Sequence, residues 1–165
     1  MKSKRAIVVG AGFAGVEAAC QLTRSGIPVD LYEMKPVRFS PAHKSPDFAE
    51  LICSNSFKAK RVGSAAGLMK AEMKRFGSLC VACAEENAVP AGGSLSVDRA
   101  AFSRAVTEAI EADPLITVHR EEVTEIPTDA DAVIVAAGPL ASDALAADIE
   151  RLCGDSLHFF DAVAP

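Results

Sequence analysis

Gly10, Gly12 and Gly15 follow the short apolar run Ala6–Val9 in the order Gly-x-Gly-x-x-Gly, and Glu33 closes the next apolar run, residues 29–33. Each residue type suits a distinct task in holding a dinucleotide. Gly10 permits a tight strand-to-helix turn, Gly12 lacks the Cβ that would keep a pyrophosphate from the backbone, and Gly15 lets the helix lie close on the strand. The N-terminus of the following helix then offers free N–H groups and a positive dipole end to phosphate. Phe13 and Ala14 lie inside the same turn and belong to the candidate site. Glu33 stands 23 residues after Gly10, where a carboxylate accepts hydrogen bonds from a ribose diol. An acid there disfavours a 2′-phosphate, which points to FAD or NAD rather than NADP.

The elements that must position these residues are legible in outline. Ala6–Val9 reads as a strand, residues 16–24 as a helix ended by Ser25-Gly26, and residues 29–33 as a second strand. Residues 34–47 hold Pro36, Pro41 and Pro46 and read as a long non-helical loop. Residues 65–75 and 78–86 read as helices broken at Gly77, and residues 90–94 as a turn or a phosphate-facing loop. From an N-cap at Asp98, Phe102, Val106 and Ile110 form one helical stripe that Asp113-Pro114 stops. Strands are expected at residues 116–119, 123–126, 132–136 and 157–160, with a helix capped by Ser142 and running to Leu152. A strand followed by Ala136-Ala137-Gly138 suits a return beside the first strand, ending near a cofactor. The expected fold is a three-layered α/β, Rossmann-like doubly wound dinucleotide-binding domain, which the resemblance described below makes an FAD-binding one.

Composition narrows the rest. The chain has 165 residues, enough for one domain, with half of them apolar and a net charge of −5. A nucleic-acid contact must therefore be a local basic patch, and with no Trp and one Tyr a base-stacking platform is not expected. Five cysteines without regular spacing, no leader-like segment and no apolar run of about 20 residues suggest a cytoplasmic protein with reduced thiols and no membrane partner.

Four further segments carry a family resemblance. Phe48-Ala-Glu-Leu-Ile-Cys-Ser-Asn-Ser56, Pro36-Val-Arg-Phe-Ser-Pro-Ala-His-Lys44, Pro90-Ala-Gly-Gly-Ser-Leu-Ser-Val-Asp-Arg99 and Ala137-Gly-Pro-Leu-Ala-Ser-Asp-Ala-Leu145 resemble, in order, segments of the folate- and flavin-dependent tRNA uridine-C5 methyltransferases, the TrmFO family. The resemblance implies FAD as cofactor, methylenetetrahydrofolate as carbon donor, NAD(P)H as reductant and a T-loop uridine of tRNA as substrate. It assigns Gly10, Gly12, Gly15 and Glu33 to FAD, sets Val123 beside the adenine through its backbone, makes Cys53 an active-site thiol, and leaves Gly138, in the turn after the returning strand, near the cofactor. A thiolate suits uracil chemistry, since addition at C6 makes C5 nucleophilic. Family members are much longer, so residues 1–165 are expected to be the N-terminal part of the FAD domain, incomplete at its C-terminus and inactive alone, with a later domain absent. The alternatives are an FAD-dependent tRNA wobble-uridine modification protein or other flavin oxidoreductase, and a non-catalytic, truncated dinucleotide-binding module.

Several residues have a structural reading beside the functional one. Without the resemblance, Cys53 reads as a buried structural thiol. Cys80 and Cys83 could be a redox or half-zinc pair, but they sit in an apolar helical stretch with no second pair, and read as core. Cys20 and Cys153 read as helix packing residues, and His119 and His158 as ordinary strand residues. Arg38, His43 and Lys44 either contact flavin, folate or phosphate, or belong to an exposed loop. Asp98 and Arg99 are a cap or, by resemblance, shape the flavin site. Lys58, Lys60, Arg61, Lys70, Lys74 and Arg75, with Glu72 the one acid among them, form either a solvated face or a contact with the tRNA backbone. No metal site is expected.

Overall fold

The computed structural model describes residues 4–154. Strand β1 (Ala6–Val9) is buried along its whole length, as four consecutive apolar residues must be when both faces of a parallel sheet are covered. It pairs in parallel with β2 (Val29–Tyr32) on one side and with β7 (Ala132–Val135) on the other, and β6 (Ile116–His119) adds beyond β2. The order is β6-β2-β1-β7. The chain thus leaves β1 in one direction for β2 and returns on its other side at β7, the switch of direction that opens a crevice in doubly wound sheets.

The sheet separates two apolar layers. Val8 and Leu31 face helices α1 (Phe13–Arg24), α3 (Leu79–Glu86) and α4 (Arg99–Glu111), with Val16, Phe102, Val106 and Ile110 fully buried among them. Ile7 and Val9 face the other way, against Leu145 of α5 (Asp143–Cys153) and the side chains of Val123 and Ile126. The three-layered α/β expectation holds. Cys80 and Cys83 lie in the first layer, 2% and 5% exposed, as core residues.

Three expectations need correction. Helix α1 begins at Phe13, three residues before the expected start; its N-cap is Gly12, whose missing side chain gives no capping signal. Residues 123–126 form no strand. The Ile126 amide donates to Asp148 Oδ2 of α5 at 2.8 Å instead of to a neighbouring strand, and Pro127 follows. Cys153 is exposed at the end of α5 rather than packed. The strand expected at 157–160, and His158 within it, lie outside the described residues.

The chain also forms a second, smaller sheet that its sequence pattern does not announce. Strands β3 (Ser56–Ala59), β4 (Ala88–Val89) and β5 (Ser94–Val97) pair antiparallel in the order β3-β5-β4. Residues 90–93 are the turn of its β4–β5 hairpin. Helix α2 (Ala65–Arg75) packs on β3, capped by Ser64, whose hydroxyl accepts from the Gly67 amide. At the N-terminus of α3, Glu17 of α1 takes the Ser78 hydroxyl at 2.5 Å and the Cys80 amide at 2.8 Å, so a carboxylate meets the positive end of that helix.

Candidate functional site

A cavity of about 310 Å³ opens at the carboxyl ends of β1, β2 and β7. The Gly-rich turn forms one wall, and the six sequence-derived residues Gly10, Gly12, Phe13, Ala14, Glu33 and Val123 all line it, with Gly138 at the opposite lip. Gly15 does not. It lies beneath the turn, fully engaged in holding α1 against the strand.

The glycines differ in what they permit. Gly10 has φ +99°, and a side chain there would stand 2.7 Å from the Ala136 carbonyl at the end of β7. A Cβ on Gly15 would run into the Gly10 carbonyl oxygen. Gly12 has nothing within 4 Å of where a Cβ would be, and its backbone (φ −73°, ψ −173°) is one any residue can adopt. The space at Gly12 is therefore open to a ligand, and the two flanking glycines give the turn its shape. This fits the pyrophosphate of a dinucleotide set on the N-terminus of α1.

Glu33 is 7% exposed, and both its oxygens are tied to backbone. Oε2 accepts from the Ala11 amide at 2.9 Å and Oε1 from the Lys35 amide at 3.1 Å. The carboxylate thus bridges the Gly-rich turn and the loop after β2, and it still has lone pairs for a ribose diol.

That loop carries a polar cluster with little signal in the sequence. Lys35 is 3% exposed; its ammonium donates to the Asp47 carbonyl at 2.6 Å and stands 3.7 Å from Glu50 Oε2. Glu50 also accepts from the Lys44 and Ser45 amides. His43 lines the cavity with its Nδ1 2.6 Å from the Ser40 hydroxyl. Burial, followed by the nearby Lys35 ammonium, lowers the His43 pKa below its ordinary value, so the ring is neutral at pH 7. Lys44 is exposed and outside the cavity, and Arg38 spans to Glu122 at 2.7 Å on the rim. A Lys inside a Pro-rich loop reads as exposed, and only the fold shows Lys35 to be buried and set against the half-buried Glu50.

Cys53 is exposed, one residue beyond Ile52, which lines the cavity. Asp98 and Arg99 lie away from the cavity, and Asp98 caps α4 by accepting from the Ala101 amide at 2.9 Å. His119 sits on β6, stacked on Tyr32 and 2.7 Å from Asp30 Oδ1. Among the described residues no group of three or more metal-binding side chains occurs, and no helix is long and apolar enough to cross a membrane.

The thiols should differ sharply in reactivity. Burial and Glu17 push the Cys80 thiol far up, burial raises Cys83, and burial pushes Cys20 up to about 11. A rise from 9 to about 11 leaves Cys20 about a hundredfold less thiolate near neutral pH. Brief iodoacetamide treatment of the folded chain, read by peptide mass spectrometry, should label Cys53 and Cys153 and spare Cys20, Cys80 and Cys83. Labelling of Cys80 at the Cys53 rate would mean that α3 does not pack as described.

The sequence pattern of the family described as glucose inhibited division protein A matches residues 5–165. The chain is 59% identical over 160 residues to a protein of Desulforudis audaxviator, covering 96% of this chain and 36% of that one. It is 56% identical over 166 residues to one of Pelotomaculum thermopropionicum, covering 100% of this chain and 38% of that one. Both relatives are named methylenetetrahydrofolate–tRNA-(uracil-5-)-methyltransferase TrmFO, and the chain spans little more than a third of their length. Among solved structures, Aquifex aeolicus GidA matches with a TM-score of 0.60 at 15% identity, over 77% of this chain and 21% of that one. The p-nitrophenol 4-monooxygenase PnpA of Pseudomonas putida matches with a TM-score of 0.55 at 16% identity, over 84% of this chain and 42% of that one. At such identities the two structures share the fold. Sequence and fold agree, and the chain belongs to the glucose inhibited division protein A family.

Proposed function

We propose that this chain is the FAD-binding part of a methylenetetrahydrofolate–tRNA (uracil-5-)-methyltransferase that forms ribothymidine in the tRNA T-loop. The observation that carries the reading is the cavity at the β1–α1 turn, open at Gly12 and flanked by the buried Glu33 carboxylate, in a chain 59% identical to a relative bearing that name. The Gly10–Ala14 turn and the start of α1 would hold the pyrophosphate, Glu33 the ribose, and the backbone at Val123 the adenine. Bound FAD would supply two-electron redox chemistry, with NAD(P)H as its reductant. Methylenetetrahydrofolate and tRNA are the proposed substrates. Cys53, exposed beside the cavity-lining Ile52, is the proposed thiol. The relatives' length supports reading residues 1–165 as one part of a larger enzyme.

Titration of the purified chain with FAD, followed by flavin fluorescence and visible absorbance, tests the cofactor assignment. Saturable binding of one FAD per chain is expected, and no binding sinks the assignment for this chain. Incubation with tRNA, reductant and methylene-labelled methylenetetrahydrofolate is expected to leave no label in T-loop ribothymidine; label there would mean that the 165 residues suffice for catalysis.

A further inference from the structure

The Gly-rich turn of residues 90–94 takes no part in the cavity, and neither does the basic segment that pairs with it. Lys60 donates its amide to the Gly93 carbonyl at 2.8 Å, and the register Ala59↔Ser94 sets Lys60 and Arg61 alongside Gly92 and Gly93. An open cleft lies between them, lined by residues 59–61 and 91–94 and sharing no residue with the cofactor cavity. Gly92 and Gly93 have nothing within 4 Å of where their side chains would stand, so a ligand can approach the backbone there.

The structure sorts the six cations of this region. Lys70 is spent internally: its ammonium donates to the Phe57 carbonyl at 2.6 Å and the Ala66 carbonyl at 2.7 Å. Lys74 is neutralised by Glu85 at 2.5 Å. Arg75 lies at the far end of α2, about 15 Å along the helix axis from its start. Lys58, Lys60 and Arg61 remain, all exposed and none in an ion pair among the described residues. No acid occurs in residues 51–71 or 87–97, although the whole chain carries a net charge of −5. The small sheet and its turn therefore carry cations without an acid of their own, and the acid that comes near Lys60, Glu85, is paired with Lys74.

We propose that the cleft between Lys60-Arg61 and the Gly92-Gly93 turn, with Lys58 beside it, binds the phosphate backbone of the RNA substrate. The inference rests on the tRNA reading above. Three cations within four consecutive residues, so at most about 10 Å apart along the backbone, suit neighbouring phosphates of one strand. No aromatic side chain lines the cleft, so it offers no platform on which a base could stack, and its cations suit phosphate contacts that give affinity and orientation.

The test is fluorescence anisotropy of labelled tRNA, and of an unrelated RNA hairpin, with the chain at 50–200 mM KCl. The combined variant Lys58→Asn, Lys60→Gln, Arg61→Gln removes the charges; Asn tolerates the positive φ of 66° at residue 58. A control, Lys4→Gln with Arg104→Gln, removes two exposed cations elsewhere. The triple variant should bind both RNAs roughly tenfold or more weakly, and its log–log salt slope should fall by about 2 to 3. The control should bind as the unaltered chain does. Unchanged binding by the triple variant, an equal loss in the control, or no RNA binding by the unaltered chain at 50 mM KCl each overturns the proposal. FAD binding, measured on every protein, separates the two readings. FAD bound with no triple-variant effect removes the cleft alone, and the RNA effect without FAD binding removes the flavin assignment alone.

Discussion

Gly12→Val is expected to weaken FAD binding by about a hundredfold or more while leaving the chain folded. Gly12 stands in extended backbone with open space where a side chain would go, so valine meets no protein atom there. Its cost in the free protein is that of a poorer N-cap, about 1 kcal/mol, or a fall in Tm of about 2–4 °C for a chain of this size. The same valine fills the space through which a pyrophosphate reaches the amides at the start of α1. Losing two hydrogen bonds to a charged group, at about 1.5–3 kcal/mol each, weakens FAD by a factor of about 10²–10⁴. A calorimetric melt and a flavin titration on the same sample check both halves. A variant that keeps its FAD affinity would place the pyrophosphate elsewhere, and one that unfolds would contradict the open space described at Gly12.

Gly15→Val is expected to do the reverse: it attacks the fold first and the cofactor only through it. A Cβ at residue 15 collides with the Gly10 carbonyl oxygen, a backbone atom that cannot rotate away, with the Gly10 carbonyl carbon at 2.9 Å and Val8 Cγ1 at 3.5 Å. Helix α1 must move off β1, and Val16 and Ala19, both fully buried, move with it. Overpacking of this kind costs about 3 kcal/mol or more, a large share of a total stability of about 5–15 kcal/mol, and lowers Tm by about 6–12 °C or more. The check is soluble yield and thermal melting of Gly15→Val beside Gly12→Val. Equal melting temperatures would show that the two glycines do not have the separate tasks assigned to them.

These two residues illustrate what could be read from the chain and what could not. The motif spacing located the turn, and burial of all of Ala6–Val9 follows from its apolar run, as does that of the apolar positions Val29 and Leu31 of β2 and Ile116 of β6. Ser142 and Asp98 were legible as caps because their side chains do accept from the third residue on. The small sheet was not legible. Its strands have four residues or fewer, with serine at half the positions of β5, and only tertiary burial of Leu95, Ser96 and Val97 makes that strand. At residues 123–126 the reverse holds: a strand-like composition has no partner strand among the described residues, and its amide goes to Asp148. In the site, residues with a backbone role (Gly10, Gly12, Gly138) announced themselves by type, and Glu33 by position. Lys35 and Glu50 did not, since their pairing depends on a loop whose path only the folded chain defines.

The two amides that grip Glu33 also bear on how a ligand would leave. A free glutamate side chain gives up about 1.5–2 kcal/mol of rotamer entropy when fixed. Here Ala11 and Lys35 fix it during folding, so the proposed ribose diol would meet an acceptor already aimed. That cost is absent from the binding step, and such preorganisation of a contact is felt chiefly as slower dissociation. In the proposed role, residence time, more than encounter rate, is what this carboxylate would set.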